Sequence, residues 1–100
     1  MGELEQISFQ IISSVGVAKS CFIEAIKAAK QQDKENVEAK MKEGEIALNE
    51  GHRIHFELIQ KEAQGDHVPF QLLFMHAEDQ MMAAETIHII AQEFIELYLK

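Results

Sequence analysis

The chain has 100 residues, of which 47% are hydrophobic and 26% charged, and its formal net charge is −8. This length fits a single domain spanning residues 1–100, and the acidic balance argues against a nucleic-acid partner and against an anionic membrane surface. The single cysteine excludes an intrachain disulfide. No apolar run reaches the about 18 residues that a membrane span needs, so we expect a cytoplasmic protein without membrane insertion.

The first predicted helix covers about residues 4–31, where apolar residues recur at helical spacing. Its middle consists of small residues around Gly16, and a glycine inside a helix costs about 1 kcal/mol relative to alanine. Two interpretations remain open for this thin section. Another helix approaches it closely, or it leaves room beside a reactive group on a neighbouring helix.

The second predicted helix covers about residues 34–63, with Asp33 as its capping residue. Gly44 and Gly51 are seven residues apart and therefore lie on one face, which predicts close approach of a neighbouring helix. His52 and His55 share a face as well, but the sequence positions no third metal ligand beside them.

The third predicted helix covers about residues 69–99, because Gly65 suits the end of the second helix and Pro69 the first turn of the next. Two apolar stripes run along it; Asp79 interrupts one of them and His76 the other. Three long helices joined by two short breaks predict an all-α fold, an antiparallel three-helix bundle with up-down-up topology.

Asp79 requires a physical explanation if its stripe is buried. An unpaired buried carboxylate costs several kcal/mol, so Asp79 needs a proton, a metal ion or a hydrogen-bond donor, or it lies at a hydrated edge. A second apolar stripe on a thin bundle also predicts self-association. Copies of Asp79 that converge in a symmetric oligomer would be stabilised by a divalent cation or by shared protons.

His76 is the strongest candidate for chemistry in this sequence. Neutral imidazole is a good nucleophile near pH 7 and can accept a phosphoryl group, provided that nearby groups donate hydrogen bonds and exclude water. Gln80 lies one helical turn further along the same stripe and is a candidate donor. From spacing alone, however, a tolerated histidine at an interface explains His76 equally simply. The small, apolar surroundings of Cys21 argue against a nucleophilic cysteine.

Several segments together resemble one known protein family. They are Ile11-Ile12-Ser13, Gly16-Val17-Ala18-Lys19-Ser20, Glu57-Leu58-Ile59-Gln60-Lys61-Glu62-Ala63, Leu72-Leu73-Phe74-Met75-His76-Ala77-Glu78-Asp79-Gln80-Met81-Met82 and Glu96-Leu97-Tyr98. The chain resembles the IIA components of the lactose/cellobiose (chitobiose) branch of the sugar phosphotransferase system. Family members commonly have glutamine where Glu78 stands and histidine where Gln80 stands. Their first helix usually has asparagine and arginine where Val17 and Lys19 stand.

The resemblance implies a homotrimeric phosphocarrier that serves the uptake of a lactose- or cellobiose/chitobiose-type sugar. His76 matches the histidine that receives a phosphoryl group from the histidine phosphocarrier HPr and passes it to a cysteine of the cognate IIB component. Asp79 matches the aspartate that meets its two symmetry mates around a divalent metal ion, which we expect to be Mg²⁺, on the trimer axis.

Two other classes of protein remain possible from the residues themselves. The first is a non-catalytic oligomeric helical interaction protein in which His76 and Asp79 have a structural or metal-binding role. The second is a monomeric histidine-phosphotransfer bundle of the two-component type, whose donor would be an aspartate-bearing receiver domain.

Overall fold

The computed structural model describes residues 2–100, which form three α-helices and, within that range, no β-strand. Helix α1 is Glu3–Lys30, helix α2 is Lys34–Ala63 and helix α3 is Leu72–Tyr98. The side chain of Asp33 caps α2 by accepting a hydrogen bond of 3.1 Å from the backbone N–H of Asn36, as its position predicted. Beyond the end of α2, Gly65 has a φ of +99°, a conformation that glycine adopts without steric cost.

Helix α3 begins at Leu72, later than the expected start at Pro69. Its N-cap, Gln71, has an extended backbone, and the first helical hydrogen bond runs from the N–H of Met75 to the carbonyl of Gln71. Val68 and Pro69 line one cleft together with residues of α1 and α2, among them Leu4, Ile7 and Leu58. The expected start at Pro69 was wrong, because the backbone stays non-helical up to Gln71 while Val68 and Pro69 line this cleft at the end of α1 and α2.

Helix α1 is the centre of the bundle. It packs along both other helices, whereas α2 and α3 touch each other only slightly. The most deeply buried side chains of the core therefore come largely from one stripe of α1: Ile11, Val15, Ala18, Phe22 and Ala25.

The apolar content of α1 corrects one expectation. By length and composition alone, α1 is long and apolar enough to cross a membrane, so the expectation that no segment reaches that length was wrong. Here Phe22 and Ile11 are fully buried between helices, whereas Phe9, Val17 and Ile23 of the same helix are exposed. A core helix with two packed neighbours has the same composition as a membrane span because it is apolar around most of its circumference.

The predicted close approach at Gly44 and Gly51 is confirmed. A Cβ atom built on Gly44 would lie 2.6 Å from Cε1 of Phe22, and one built on Gly51 would lie 2.9 Å from Cγ1 of Val15. At Gly16, in contrast, a Cβ would meet nothing within 4 Å. The expected close approach of another helix to the thin section of α1 is confirmed, because Ser14 and Val15 lie against Gly51 and Ala18 is fully buried, but Gly16 itself takes no part in this contact.

Gly44→Ala should lower the free energy of unfolding by about 1–2 kcal/mol, because overpacking against the buried Phe22 ring exceeds the gain in helix propensity. Gly16→Ala is the matched control and should raise the free energy of unfolding by about 0.5–1 kcal/mol, since its methyl group enters open space. Urea unfolding at one fixed protein concentration measures both. Equal stabilisation by the two variants would contradict this account of the packing.

Candidate functional site

Helix α3 buries a different face from the two that its sequence suggested. Its buried residues are mostly alanine and form a core face against α1: Ala77, Met81, Ala84 and Ala91. Neither predicted stripe is this core face, because small residues give a weak hydrophobic signal although they pack well. Larger apolar residues on the remaining circumference are left exposed within the single chain.

The outer face of α3 is the stripe Leu72, Met75, Asp79, Met82, Thr86 and Ile89. At about 100° per residue, Asp79 points about 200° away from the buried Ala77, and its side chain is exposed. Met82 and Ile89 on the same stripe are 57% and 62% exposed. Asp79 takes part in none of the side-chain hydrogen bonds or salt bridges formed among residues 2–100, so it lies at a hydrated surface of the isolated chain.

His76 and Gln80 lie on the flank of α3 next to α1. His76 is exposed, and Gln80, one turn later, is partly buried. The ammonium group of Lys19 on α1 donates a hydrogen bond to Oε1 of Gln80. The structure thus places a cation on Gln80, one helical turn from His76. The sequence marked Lys19 as a departure from the family but did not predict its contact with Gln80, because 61 residues separate the two and no local pattern joins them.

Glu78 lies on the opposite flank of α3, next to α2. Nε2 of His55 and Oε2 of Glu78 are 2.6 Å apart. Two residues along a helix correspond to a rotation of about 200°, so Glu78 and His76 of one chain face in nearly opposite directions. Within the chain, Glu78 therefore serves the contact between α2 and α3, and its charge is directed away from His76.

Three histidine–glutamate pairs bridge α2 and α3, where apolar contact is slight. They are His55–Glu78 at 2.6 Å, His52–Glu85 at 3.3 Å and His88–Glu45 at 2.9 Å. The sequence indicated no acidic partner for these histidines, since each glutamate belongs to the other helix. His52 and His55 face different glutamates, and residues 2–100 of the single chain contain no group of three or more side chains that could hold a metal ion.

His88 is partly buried between the helices. Its ring stacks on Phe22 of α1, with centroids 4.6 Å apart and planes inclined by 25°. The same imidazole contacts Glu45 of α2 through Nε2. One side chain thus joins all three helices, which identifies a structural role for His88.

Cys21 is buried, and its Sγ donates a weak hydrogen bond of 3.5 Å to Oε2 of Glu43. Burial raises the pKa of the Cys21 thiol above its ordinary value of 9.0, and the hydrogen bond and negative charge of Glu43 raise it further. Lys40 binds Glu24 and Glu43 and lowers this pKa only in part. The thiol is therefore held in its unreactive, protonated form.

The sequence and the fold both match known proteins. A family model described as "PTS system, Lactose/Cellobiose specific IIA subunit" matches residues 6–99. The lichenan-specific phosphotransferase enzyme IIA component of Bacillus subtilis (strain 168) is 44% identical over 98 residues, covering 98% of this chain and 89% of the relative.

Two solved structures carry the same fold. The cellobiose-specific enzyme IIA from Bacillus anthracis has a TM-score of 0.94 at 41% identity, covering 98% of this chain and 90% of that one. The IIA(Chitobiose) chain of an IIA–HPr complex from the Escherichia coli phosphotransferase system has a TM-score of 0.83 at 32% identity, covering 98% and 95%.

The all-helical fold and the match over nearly the whole chain define a component of the sugar phosphotransferase system. More particularly, the chain belongs to the lactose/cellobiose-specific IIA family.

Alkylation should confirm the protected state of Cys21. At pH 8, iodoacetamide should react with the folded protein at least about tenfold more slowly than with the protein unfolded in urea, because burial both shields the thiol and raises its pKa. Raising the pH through 9 and above should increase the rate for the folded protein. Glu43→Gln should give a modest increase at fixed pH, since it removes the smaller causes of the shift and leaves burial unchanged. A folded-state rate equal to the unfolded-state rate would contradict this description of Cys21.

Proposed function

We propose that this IIA component is a phosphocarrier whose His76 accepts a phosphoryl group from the histidine phosphocarrier HPr and passes it to a cysteine of the cognate IIB component. The main observation in support is the exposed imidazole of His76, within a chain matched to the family over residues 6–99. The solved complex of a related IIA chain with HPr supports the same donor for this chain.

The transfer consists of two displacements at phosphorus. In the first, an unprotonated ring nitrogen of His76 attacks the phosphorus, the new N–P bond forms, and the donor histidine of HPr leaves with the electron pair of the broken N–P bond. In the second, the thiolate of the IIB cysteine attacks, an S–P bond forms, and the electron pair returns to His76. Gln80, one helical turn from His76, would donate hydrogen bonds to the phosphoryl oxygens while they carry this charge.

The protein acts, in this proposal, as a cytoplasmic homotrimer of up-down-up three-helix subunits. The outer face of α3 supports the assembly, because Leu72, Met75, Met82 and Ile89 are large apolar residues that lie exposed on one stripe. Exposed contiguous apolar surface on a helix is typical of a protein interface. Parallel packing of three such faces would bury these side chains around a common axis.

The same arrangement would bring three copies of Asp79 together. Three carboxylates on an axis repel one another, and a divalent cation with a preference for oxygen ligands, such as Mg²⁺, would neutralise them. The fit is consistent with the structure, since Asp79 is exposed and lies in the middle of the outer face, and residues 2–100 of one chain form no metal site alone. The metal would stabilise the assembly and takes no part in the transfer steps.

For the sugar that this system takes up, we propose only its chemical class. Relatives named for lichenan, cellobiose and N,N'-diacetylchitobiose support the uptake of a cellobiose/chitobiose-type or lactose-type sugar as the expected role. The IIA component need not contact the sugar, and cognate specificity resides in its partners.

Labelling from radioactive phosphoenolpyruvate, with the general phosphotransferase enzymes supplied, tests the acceptor. We expect acid-labile label on the wild type and none on His76→Ala, because the variant lacks the only proposed nucleophile. His67→Ala, which changes an exposed histidine between α2 and α3, is the control and should be labelled like the wild type.

A folded wild type that takes no label from competent donors would overturn the phosphocarrier proposal and favour the non-catalytic interaction protein. In that case His76→Ala would change the assembly rather than the labelling. Label supplied only by a phosphorylated receiver domain, on a monomer, would instead favour the two-component class.

Asp79→Leu tests the axial arrangement. The variant should remain trimeric or associate more tightly in sedimentation velocity, because three converging charges are replaced by apolar groups. Removing divalent ions with EDTA should weaken the wild-type trimer and leave Asp79→Leu unaffected. Asp66→Leu, outside α3, should behave as the wild type in both measurements. Monomeric Asp79→Leu would count against Asp79 lying on the axis.

A further inference from the structure

We propose that Lys19 is a positioning residue for phosphoryl transfer, which holds the amide of Gln80 in the orientation that serves His76. The inference rests on the proposed function and extends it to a residue on another helix. Its basis is the hydrogen bond that the ammonium group of Lys19 on α1 donates to Oε1 of Gln80 on α3. Gln80 in turn lies one helical turn from His76 on the same flank.

This hydrogen bond determines which end of the Gln80 amide is available for function. A lysine ammonium group has three donors and no acceptor, so only the amide oxygen can face it. The amide NH₂ group is then directed away from Lys19 and keeps its two donors free. A phosphoryl group carries only acceptor oxygens, and an amide presented by its NH₂ end can bind it, whereas one presented by its oxygen would repel it.

The charge of Lys19 has a second consequence in this acidic chain. A phosphoryl group on His76 adds about −1.5 to −2 charges to a protein whose net charge is already −8, next to Asp79. Within residues 2–100, Lys19 forms no salt bridge, whereas Lys40 and Lys61 are paired with glutamates. The positive charge of Lys19 is therefore not neutralised by a carboxylate of this chain and can offset that of the phosphoryl group.

The space around Lys19 agrees with this role. Gly16 lies one turn before Lys19 on α1, and a Cβ atom added there would meet nothing within 4 Å. The thin section of α1 therefore adjoins the flank that carries Gln80. The open space at Gly16 is compatible with the second interpretation of the thin section, room for a group that approaches this flank.

The test compares label transfer from phosphorylated HPr to the wild type, Lys19→Met, Gln80→Leu and the double variant, with Lys27→Met as the control. Lys27 is an exposed lysine of α1 in the last turn, and its replacement should leave the transfer unchanged. Lys19→Met should lower kcat about tenfold or more with KM for HPr unchanged, because it removes a charge-assisted hydrogen bond near the transferred group.

Coupling between the two residues is the decisive measurement. If Lys19 acts through Gln80, the double variant should lose little more than Lys19→Met alone, since that change already disables the Gln80 donor. Lys19→Arg keeps the charge and a donor and should recover most of the rate. Acid-labile phosphohistidine on Lys19→Met should also hydrolyse faster than on the wild type.

Three outcomes would overturn the inference: transfer by Lys19→Met at the wild-type rate, a raised KM with unchanged kcat, or fully additive losses in the double variant. Lys19→Gln replaces Lys19→Met if the latter does not fold, as judged by circular dichroism. Absence of label on the wild type is a different result. It would refute the proposed function itself, and it would be seen before any variant is compared.

Discussion

The close packing of α1 against α2 is the constraint on which the rest of the structure depends. Gly44 and Gly51 allow Phe22 and Val15 to lie against the backbone of α2, and this contact aligns the two helices. Helix α3 then packs on the other side of α1 and needs little contact with α2. Because α1 carries most of the deepest core, both neighbours are positioned by it, and the flank that holds His76 is positioned relative to α1 as well.

The different faces of helix α3 have different structural or functional roles. Its alanine-rich core face permits close contact with α1, because alanine side chains keep the two backbones near each other. The histidine–glutamate pairs on the α2 flank replace apolar contact with polar bridges. The flank that faces α1 holds Gln80, which meets Lys19 of α1, and the outer face holds Asp79. A helix can divide these tasks because positions one residue apart point about 100° apart.

The sequence predicted helix bounds, capping and glycine contacts where a local rule applies. Asp33 caps α2, and Gly44 and Gly51 face a neighbouring helix, since each depends on a residue's own backbone or on its size. The start of α3 and the core face of α3 were not predicted. Pro69 satisfies the local rule for a helix start but lies in a non-helical segment that lines the cleft at the end of the bundle, and alanine is a weak signal of burial.

By itself, the sequence determined the family, the all-helical class and the two main candidate site residues, His76 and Asp79. All of these follow from motifs and periodicity within short segments. The tertiary structure alone decided which residues accompany them. Lys19 meets Gln80 across 61 residues, and Glu78 turns towards His55 of α2 and away from His76. Such partners depend on how helices rotate about their own axes when they pack, and that rotation is set by the fit of whole helix faces rather than by any local pattern.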